Sequence, residues 1–164
     1  MIDHGSPVPS VPVKLVNAEG TTDTTSDVVL GTGTVVFFAV PGAFTPTCHV
    51  NHLPGFVANI TKLRAAGVDR VVCASVNDAH VMRAWAEASG AIGDIDFLAD
   101  GNGDLAEAMG LAKDYSGAGM GRRFARTAMI IREGIADAIL VEDAPGVNAS
   151  GAPAILMALE AARS

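Results

Sequence analysis

The segment Pro41-Gly-Ala-Phe-Thr-Pro-Thr-Cys48 contains the residue of this chain that is best placed to act as a nucleophile. Thr45 is a good helix N-cap, and Pro46 suits the first helical position because its missing N–H would lack a partner there in any case. Cys48 then falls at about the third helical position, where free backbone N–H groups and the positive end of the helix dipole favour a thiolate. The spacing therefore predicts a reactive cysteine at the start of a helix.

Other roles are open to the same cysteine. A cysteine in an apolar segment is commonly a small buried hydrophobe. His49 and His52 lie close by in the sequence and raise a cysteine hydrolase or a metal site as alternatives. A hydrolase also needs an oriented base and an acyl pocket, and no third group with suitable spacing is evident; a metal site lacks a further ligand cluster. These arguments favour a nucleophile at Cys48 over a hydrolase or a metal site. The structural role of His52, as part of the helix that follows the cysteine, is implied by the family resemblance described below.

Composition predicts one compact domain over residues 1–164. A chain of 164 residues can bury one sizeable core, and 49% hydrophobic with 18% charged residues is typical of globular proteins. The formal net charge of −7 argues against nucleic acid as a partner. The apolar stretches are far shorter than the roughly 20 residues that cross a bilayer, which argues against a membrane. Because no secretory signal is visible, we expect a cytoplasmic protein whose two cysteines are kept reduced.

Strand-like and helical segments alternate along the chain, which predicts an α/β fold with a mixed sheet. The predicted strands are 34–40, 70–76, 95–99, 126–131 and 135–141. The predicted helices are 46–66, interrupted by Pro54-Gly55, then 79–89, 104–109 and 152–163. Ligand sites in such sheets lie in loops that leave the carboxyl ends of strands, so Cys48 is expected beside the end of the first predicted strand. The glycine-rich segment 113–124 is predicted to be a long loop.

Four further motifs follow the cysteine segment in a fixed order. They are His52-Leu-Pro-Gly-Phe56, Ser75-Val-Asn-Asp78, Val81-Met-Arg-Ala-Trp85 and Gly119-Met-Gly-Arg-Arg-Phe-Ala-Arg126. With these motifs the chain resembles the peroxiredoxin 5 group of thiol peroxidases, which includes the plant type II enzymes, from about Lys14 to the C-terminus. The resemblance implies a thioredoxin-like fold, with a central mixed β-sheet flanked by helices. It also implies thiol-dependent reduction of hydrogen peroxide or an alkyl hydroperoxide through a cysteine sulfenic acid, without a cofactor or a metal.

The resemblance also implies roles for individual residues. Four of them would surround the reacting sulfur, namely the peroxidatic Cys48, its hydroxyl partner Thr45, the shielding Pro41 and the guanidinium of Arg126. Arg126 is permanently cationic and could hold both the thiolate and the peroxide oxygens. Spacing alone favours a different interpretation, in which Arg126 marks the exposed edge of a strand, and Arg122 and Arg123 are rivals for its role. The chain departs from the family at Thr127, where an aromatic residue often follows the arginine.

Cys73 is the second cysteine and has two interpretations. Its segment is rich in β-branched residues, which favours a buried, inert thiol. Plant type II peroxiredoxins, however, have their resolving cysteine in the matching strand, so the resemblance implies that Cys73 resolves the oxidised Cys48. Such a disulfide would require local unwinding around Cys48, because bonded cysteines have Cα atoms within about 7 Å of each other. Thioredoxin or glutaredoxin would then reduce the disulfide; otherwise glutathione with glutaredoxin would reduce the sulfenic acid.

Three further expectations concern the oligomeric state, the position of Trp85 and an alternative function. The resemblance implies a homodimer packed near the active-site loops, through Phe44 and the loop 117–121. Trp85 lies at helical spacing from Val81 and Met82, which predicts a core position. The alternative function is a redox-sensing or chaperone-like protein that uses Cys48 without efficient turnover, and steady-state peroxide consumption distinguishes the two.

Overall fold

The computed structural model describes residues 1–142 and 146–163, and nine strands lie within this part of the chain. They are β1 (Pro12–Asn17), β2 (Gly20–Thr25), β3 (Thr34–Ala39), β4 (Arg70–Ser75), β5 (Asp96–Ala99), β6 (Ala112–Asp114), β7 (Arg122–Phe124), β8 (Thr127–Arg132) and β9 (Ile135–Val141). Seven of them form one sheet in the order β2-β1-β5-β4-β3-β8-β9. The short strands β6 and β7 pair separately as an antiparallel hairpin.

The three central strands β3, β4 and β5 run parallel, and the strands on either side are antiparallel to them. Six α-helices accompany the sheet in the described residues, namely α1 (Ser26–Leu30), α2 (Leu53–Ala58), α3 (Ile60–Ala65), α4 (Ala79–Ala88), α5 (Asp104–Met109) and α6 (Ala152–Arg163). Solved structures of the same fold, reported below, confirm the predicted thioredoxin-like α/β class. No helix of the described residues is long and apolar enough to span a membrane.

Strand β3 is buried on both faces, as expected of a central parallel strand with a continuous apolar sequence. Alternate side chains enter two different core layers. Phe38 belongs to the layer that contains Cys48 and Cys73, whereas Phe37 belongs to the opposite layer with Met109. The predicted nucleophile and the second cysteine therefore lie on the same side of the sheet.

All five predicted strands occur, with ends displaced by one residue at most, and three helix predictions are confirmed to within one residue. The predicted break at Pro54-Gly55 is wrong, because α2 directly follows a π-helical turn over Cys48–His52 and the helical segment continues through Pro54 and Gly55. The helical segment breaks at Asn59 instead. The predicted long loop 113–124 is also wrong: it contains most of the β6–β7 hairpin and a 3₁₀ turn over Ser116–Ala118.

Candidate active site

The loop that follows β3 is held against the loop that follows β4. The side-chain oxygen of Asn77 accepts a hydrogen bond from the backbone N–H of Ala43 at 3.0 Å and another from the Ser75 hydroxyl at 2.6 Å. Because β3 and β4 are parallel neighbours, their carboxyl ends meet at the same edge of the sheet. Asn77 thus fixes the start of the cysteine loop to the rigid centre of the fold.

The helix begins at Pro46, so Cys48 is its third helical residue, as the sequence predicts. From Cys48 to His52 the helix has a π turn, in which the Leu53 N–H donates to the Cys48 carbonyl. The backbone carbonyl of Thr45 accepts the His49 N–H at 2.8 Å. The Thr45 hydroxyl donates to the Gly42 carbonyl at 2.6 Å, so its hydrogen is directed into the loop and its lone pairs face elsewhere.

Gly42 occupies a crowded position in this loop. A Cβ atom added there would lie 3.0 Å from both Thr45 Cγ2 and the Met120 methyl carbon, and 3.3 Å from Arg123 Nη1. The close approach of these three side chains therefore favours glycine. Pro41, which is predicted to shield the sulfur, directly precedes Gly42 and is buried. Its carbonyl accepts a hydrogen bond from Arg123 Nη1 at 3.3 Å.

The structure distinguishes the three rival arginines. Arg126, which precedes β8, donates from Nη2 to Cys48 Sγ at 3.1 Å, although 78 residues separate the two in the sequence. Arg122 is paired with Glu107 at an exposed position, at 2.6 Å. Arg123 donates to the Met120 carbonyl at 2.9 Å as well as to the loop. Of the three, Arg126 is the one in contact with the sulfur.

His52 holds the other arm of the same guanidinium. Its Nε2 lies 2.9 Å from the Ser150 carbonyl, which can only accept, so Nε2 bears the ring hydrogen. The lone pair on Nδ1 then accepts from Arg126 Nη1 at 3.0 Å. Burial lowers the pKa of His52 to about 4, and the positive charge of Arg126 acts in the same direction, against the Ser150 carbonyl. His52 is therefore neutral at pH 7.

The predicted structural role of His52 is thus more specific than the sequence indicated. Ser150 is 98 residues away from His52, and Arg126 is 74 residues away. No local pattern links positions so far apart, and sequence reasoning missed both Ser150 and the contact with Arg126. The only available signal was that His52 follows Cys48 by one helical turn.

His49 contacts a different partner, the single tryptophan of the chain. Trp85 Nε1 donates to His49 Nδ1 at 3.0 Å, and the Trp85 side chain is fully buried, in agreement with its predicted core position. The ring of Phe44 lies 5.5 Å from that of His49, centroid to centroid. Among residues 1–142 and 146–163, no group of three or more His, Cys, Asp or Glu side chains is arranged to hold a metal ion.

Cys73 lies in the middle of β4, opposite Phe38 of β3 and Phe97 of β5. Complete burial raises the pKa of the Cys73 thiol well above its ordinary value, and the nearby Cys48 sulfur adds to this effect. Both cysteines are free thiols in the structure. The role of Cys73 as a resolving cysteine stays a prediction.

A sizeable cavity of the described residues lies elsewhere. It has a volume of about 600 Å³ and is lined by, among others, Lys14, Asp78 and Asp100. Neither Cys48 nor Arg126 is among its lining residues.

The sequence matches the redoxin family over residues 3–156. Rice Peroxiredoxin-2E-2, chloroplastic, is 46% identical over 128 residues, which cover 76% of this chain and 56% of that protein. Arabidopsis Peroxiredoxin-2D is 38% identical over 125 residues, covering 76% and 77% respectively. The structure of reduced Prx3 from Vibrio vulnificus in complex with H2O2 is similar with a TM-score of 0.89 and 40% identity, over 97% of this chain and 99% of that one.

The chain spans 56% and 59% of the length of the rice and Arabidopsis 2E proteins. These relatives also contradict the predicted cytoplasmic location. The two 2E proteins are named as chloroplastic, and Arabidopsis Peroxiredoxin-2F, 38% identical over 142 residues, is named as mitochondrial. The predicted location is wrong: it rested on the lack of a visible secretory signal, whereas these relatives are named as organellar proteins.

Proposed function

The chain belongs to the redoxin family and, within it, to the peroxiredoxins, and from this membership we propose that it is a thiol-dependent peroxidase with Cys48 as its nucleophile. The observation that supports the proposal most directly is the 3.1 Å contact between Arg126 Nη2 and Cys48 Sγ. A permanent cation against a buried sulfur stabilises negative charge there, both on the thiolate and on a peroxide bound next to it.

The proposed reaction oxidises the sulfur and reduces the peroxide. The Cys48 thiolate attacks one peroxide oxygen, a sulfur–oxygen bond forms, and the O–O bond breaks. The leaving oxygen takes the electron pair and a proton, and departs as water or as an alcohol. Cys48 is left as a sulfenic acid. Arg126 would donate to the oxygens as their negative charge grows, while His52 prevents the guanidinium from turning away.

Thr45 would act on the substrate as a hydrogen-bond acceptor. Its hydroxyl hydrogen is donated to the Gly42 carbonyl, which leaves the oxygen lone pairs for a peroxide O–H. Arg126 and Thr45 together would then supply a donor and an acceptor, the pair that orients an HO–O group. Pro41 would line the same loop and keep water from the sulfur.

Ionisation of the thiol accounts for only a small part of the proposed catalysis. An ordinary thiol with a pKa of about 8.5 is already about 3% thiolate at pH 7, so complete ionisation increases the rate by only about thirtyfold, or about 2 kcal/mol. A low pKa also weakens the nucleophile. The larger contribution must therefore come from donors directed at the breaking O–O bond, as Arg126 is positioned to be.

A thiol reductant would complete the proposed cycle by one of two routes. Cys73 lies in the same core layer as Cys48 and could form an intramolecular disulfide, which thioredoxin or glutaredoxin would reduce. Alternatively, glutathione with glutaredoxin would reduce the sulfenic acid directly. Backbone hydrogen bonds from β4 to β3 and to β5 hold Cys73 in place. Formation of the disulfide therefore requires the Cys48 turn to unwind.

We propose in addition that residues 1–164 act as a single domain that forms a homodimer near the active-site loops. Phe44 is 47% exposed, large and apolar, and its backbone has a positive φ of 61°. The exposed, glycine-containing segment 117–121 would contribute to the same dimer interface. Sedimentation at micromolar concentration should give a dimer for the wild type and a monomer for Phe44→Glu; a monomeric wild type would contradict the proposal.

The function is tested by steady-state peroxide consumption, with hydrogen peroxide and an alkyl hydroperoxide, in the presence of thioredoxin, glutaredoxin or glutathione. We expect multiple turnovers with at least one reductant. Intact mass after one equivalent of peroxide identifies the oxidised species: loss of two hydrogens indicates a disulfide, and gain of one oxygen indicates a sulfenic acid. A single oxidation with no turnover would refute the peroxidase proposal and favour the redox-sensing alternative.

A further inference from the structure

The hydrogen bonds that start at the reactive sulfur continue beyond His52. Arg126 links Cys48 to His52, and His52 donates to the Ser150 carbonyl. Ser150 is fully buried and lies in the segment that precedes α6. The orientation of the guanidinium therefore depends on whatever fixes the Ser150 carbonyl.

A single carboxylate holds this segment. Glu142 accepts hydrogen bonds from the backbone N–H groups of Asn148 at 2.7 Å, Ala149 at 3.1 Å and Ser150 at 2.9 Å, and from the Ser150 hydroxyl at 2.7 Å. The backbone N–H of Glu142 in turn donates to the carbonyl of Arg126 at 3.0 Å. Glu142 thus bonds both to the backbone of the arginine and to the segment that orients its histidine partner.

The charge state of Glu142 suits this role. Burial acts to raise the pKa of Glu142, but the bonds from Ser150, Asn148 and Ala149 outweigh it and lower the pKa below its ordinary value. Glu142 is therefore a carboxylate at neutral pH. Hydrogen bonds to a carboxylate are roughly twice as strong as those between neutral groups. The four bonds therefore hold residues 148–150 firmly, and two of the four come from Ser150 itself.

The tautomer of His52 shows why the position of Ser150 matters. A carbonyl facing Nε2 requires the hydrogen on that nitrogen, and this leaves a lone pair on Nδ1 for Arg126. If the Ser150 carbonyl moved away, the His52 ring would lose the bond that fixes its orientation. Nδ1 would then no longer be held opposite Arg126 Nη1, and the guanidinium would be free to turn away from Cys48.

We propose that Glu142 is a positioning residue for peroxide reduction. It fixes the Ser150 carbonyl, which anchors the His52 ring in the orientation that holds Arg126 against the sulfur. This inference rests on the proposed peroxidase function, because its effect is on the rate at which Cys48 reacts with peroxide. Glu142 itself touches neither the sulfur nor the substrate.

The decisive measurement is a double-mutant cycle on the single-turnover rate of Cys48 oxidation by hydrogen peroxide. Glu142→Gln keeps the size of the side chain but replaces one acceptor oxygen with an NH2 group that opposes the backbone donors. We expect a tenfold to hundredfold loss of rate, since small misplacements of a catalytic group have effects of this size. In an Arg126→Gln background the same substitution should lower the rate less than threefold, because the group it positions is gone.

Glu133→Gln is the matched control. Glu133 is exposed and also accepts a backbone N–H, from Gly33 at 3.2 Å, but it lies in the turn between β8 and β9. We expect the rate of Cys48 oxidation in Glu133→Gln to stay within twofold of the wild-type rate. Glu142→Asp, which keeps the charge on a shorter arm, gives an intermediate loss and replaces Glu142→Gln in the cycle if that variant unfolds.

A spectroscopic measurement separates positioning from general destabilisation. The Nε2–H group of His52 reports its bond to the Ser150 carbonyl, and we expect its hydrogen to exchange faster with water in the folded Glu142 variant than in the wild type. Equal losses in the wild-type and Arg126→Gln backgrounds would overturn the inference, as would a Glu142 variant as fast as Glu133→Gln. If the wild type itself fails to react with peroxide, the proposed function fails instead.

Discussion

The two cysteines of this chain are equally buried, at 0% exposure each, but they have opposite surroundings. Cys48 lies at the start of a helix and accepts an N–H from Arg126. Cys73 lies within β4, paired on both sides by neighbouring strands, and burial raises the pKa of its thiol. Burial alone therefore does not decide what a cysteine can do. A polar partner in contact with the sulfur distinguishes the proposed nucleophile from its neighbour.

The two cysteines also differ in how easily the backbone around them can move. The Cys48 turn is held by side-chain contacts and by a short π turn, whereas Cys73 is held by the backbone hydrogen bonds of a central strand. Local opening therefore costs less free energy at the Cys48 turn than within β4. Any chemistry that brings the two sulfurs together must therefore move Cys48 towards Cys73.

Exchange of each sulfur for oxygen should have the largest effect and the sharpest contrast. Cys48→Ser removes the proposed nucleophile, and we expect at least a thousandfold loss in the single-turnover rate of peroxide consumption. Cys73→Ser should leave that first oxidation within about twofold of the wild type, because Cys73 has no part in it. Comparable losses in the two variants would contradict the distinction between the cysteines.

Removal of the polar partner should come next. Arg126→Lys keeps a positive charge but loses the planar pair of donors that reaches both Cys48 and His52. We expect the rate with hydrogen peroxide to fall by about 10² to 10³, the range found when a donor to a developing anion is lost. Arg122→Lys, on the exposed pair with Glu107, is the control and should be close to the wild type. An unaffected Arg126→Lys would show that charge alone is sufficient.

Acid should weaken the Cys48 side of the core through His52. The folded protein binds a proton at His52 with a pKa of about 4, while the unfolded chain binds it near the ordinary value of about 6.5. The stability contributed by neutral His52 is complete above pH 6.5 and is lost as the pH falls towards 4, an effect of about 3 kcal/mol.

Urea unfolding at a series of pH values measures this loss. We expect the slope of the unfolding free energy between pH 6.5 and 4.5 to be smaller in His52→Gln than in the wild type. Identical slopes in the wild type and His52→Gln would show that His52 accepts its proton without cost in the folded state.

The parts of this fold that the sequence predicts are those with local signals. Thr45 and Pro46 mark a helix start, and the apolar run of β3 marks a central strand. Strand β2 was missed because Gly20-Thr-Thr-Asp-Thr-Thr25 is polar, as an edge strand can be. Helix α1 was missed because five residues give too little periodicity.

The candidate site is predictable only in part, and for a related reason. The Cys48 turn follows from local capping rules, but the choice of Arg126 over Arg122 and Arg123 rested on family resemblance, since spacing alone favours none of them. Ser150 and Glu142 reach the site through contacts across the sheet and the C-terminal segment. Such contacts exist only once the chain has folded.

The smallest expected effect concerns how readily the Cys48 turn opens. Trp85 donates to His49, directly after the cysteine, and this bond ties the turn to α4. His49→Phe keeps a ring against Phe44 but leaves the buried Trp85 N–H without its acceptor, which should destabilise the closed turn by about 1 kcal/mol or more. If Cys73 resolves the sulfenic acid, disulfide formation followed by intact mass should become about fivefold to tenfold faster. His49→Gln, whose amide oxygen can accept the same N–H, should restore the wild-type rate. Equal rates in all three proteins would mean that this bond does not limit the approach of Cys48 to Cys73.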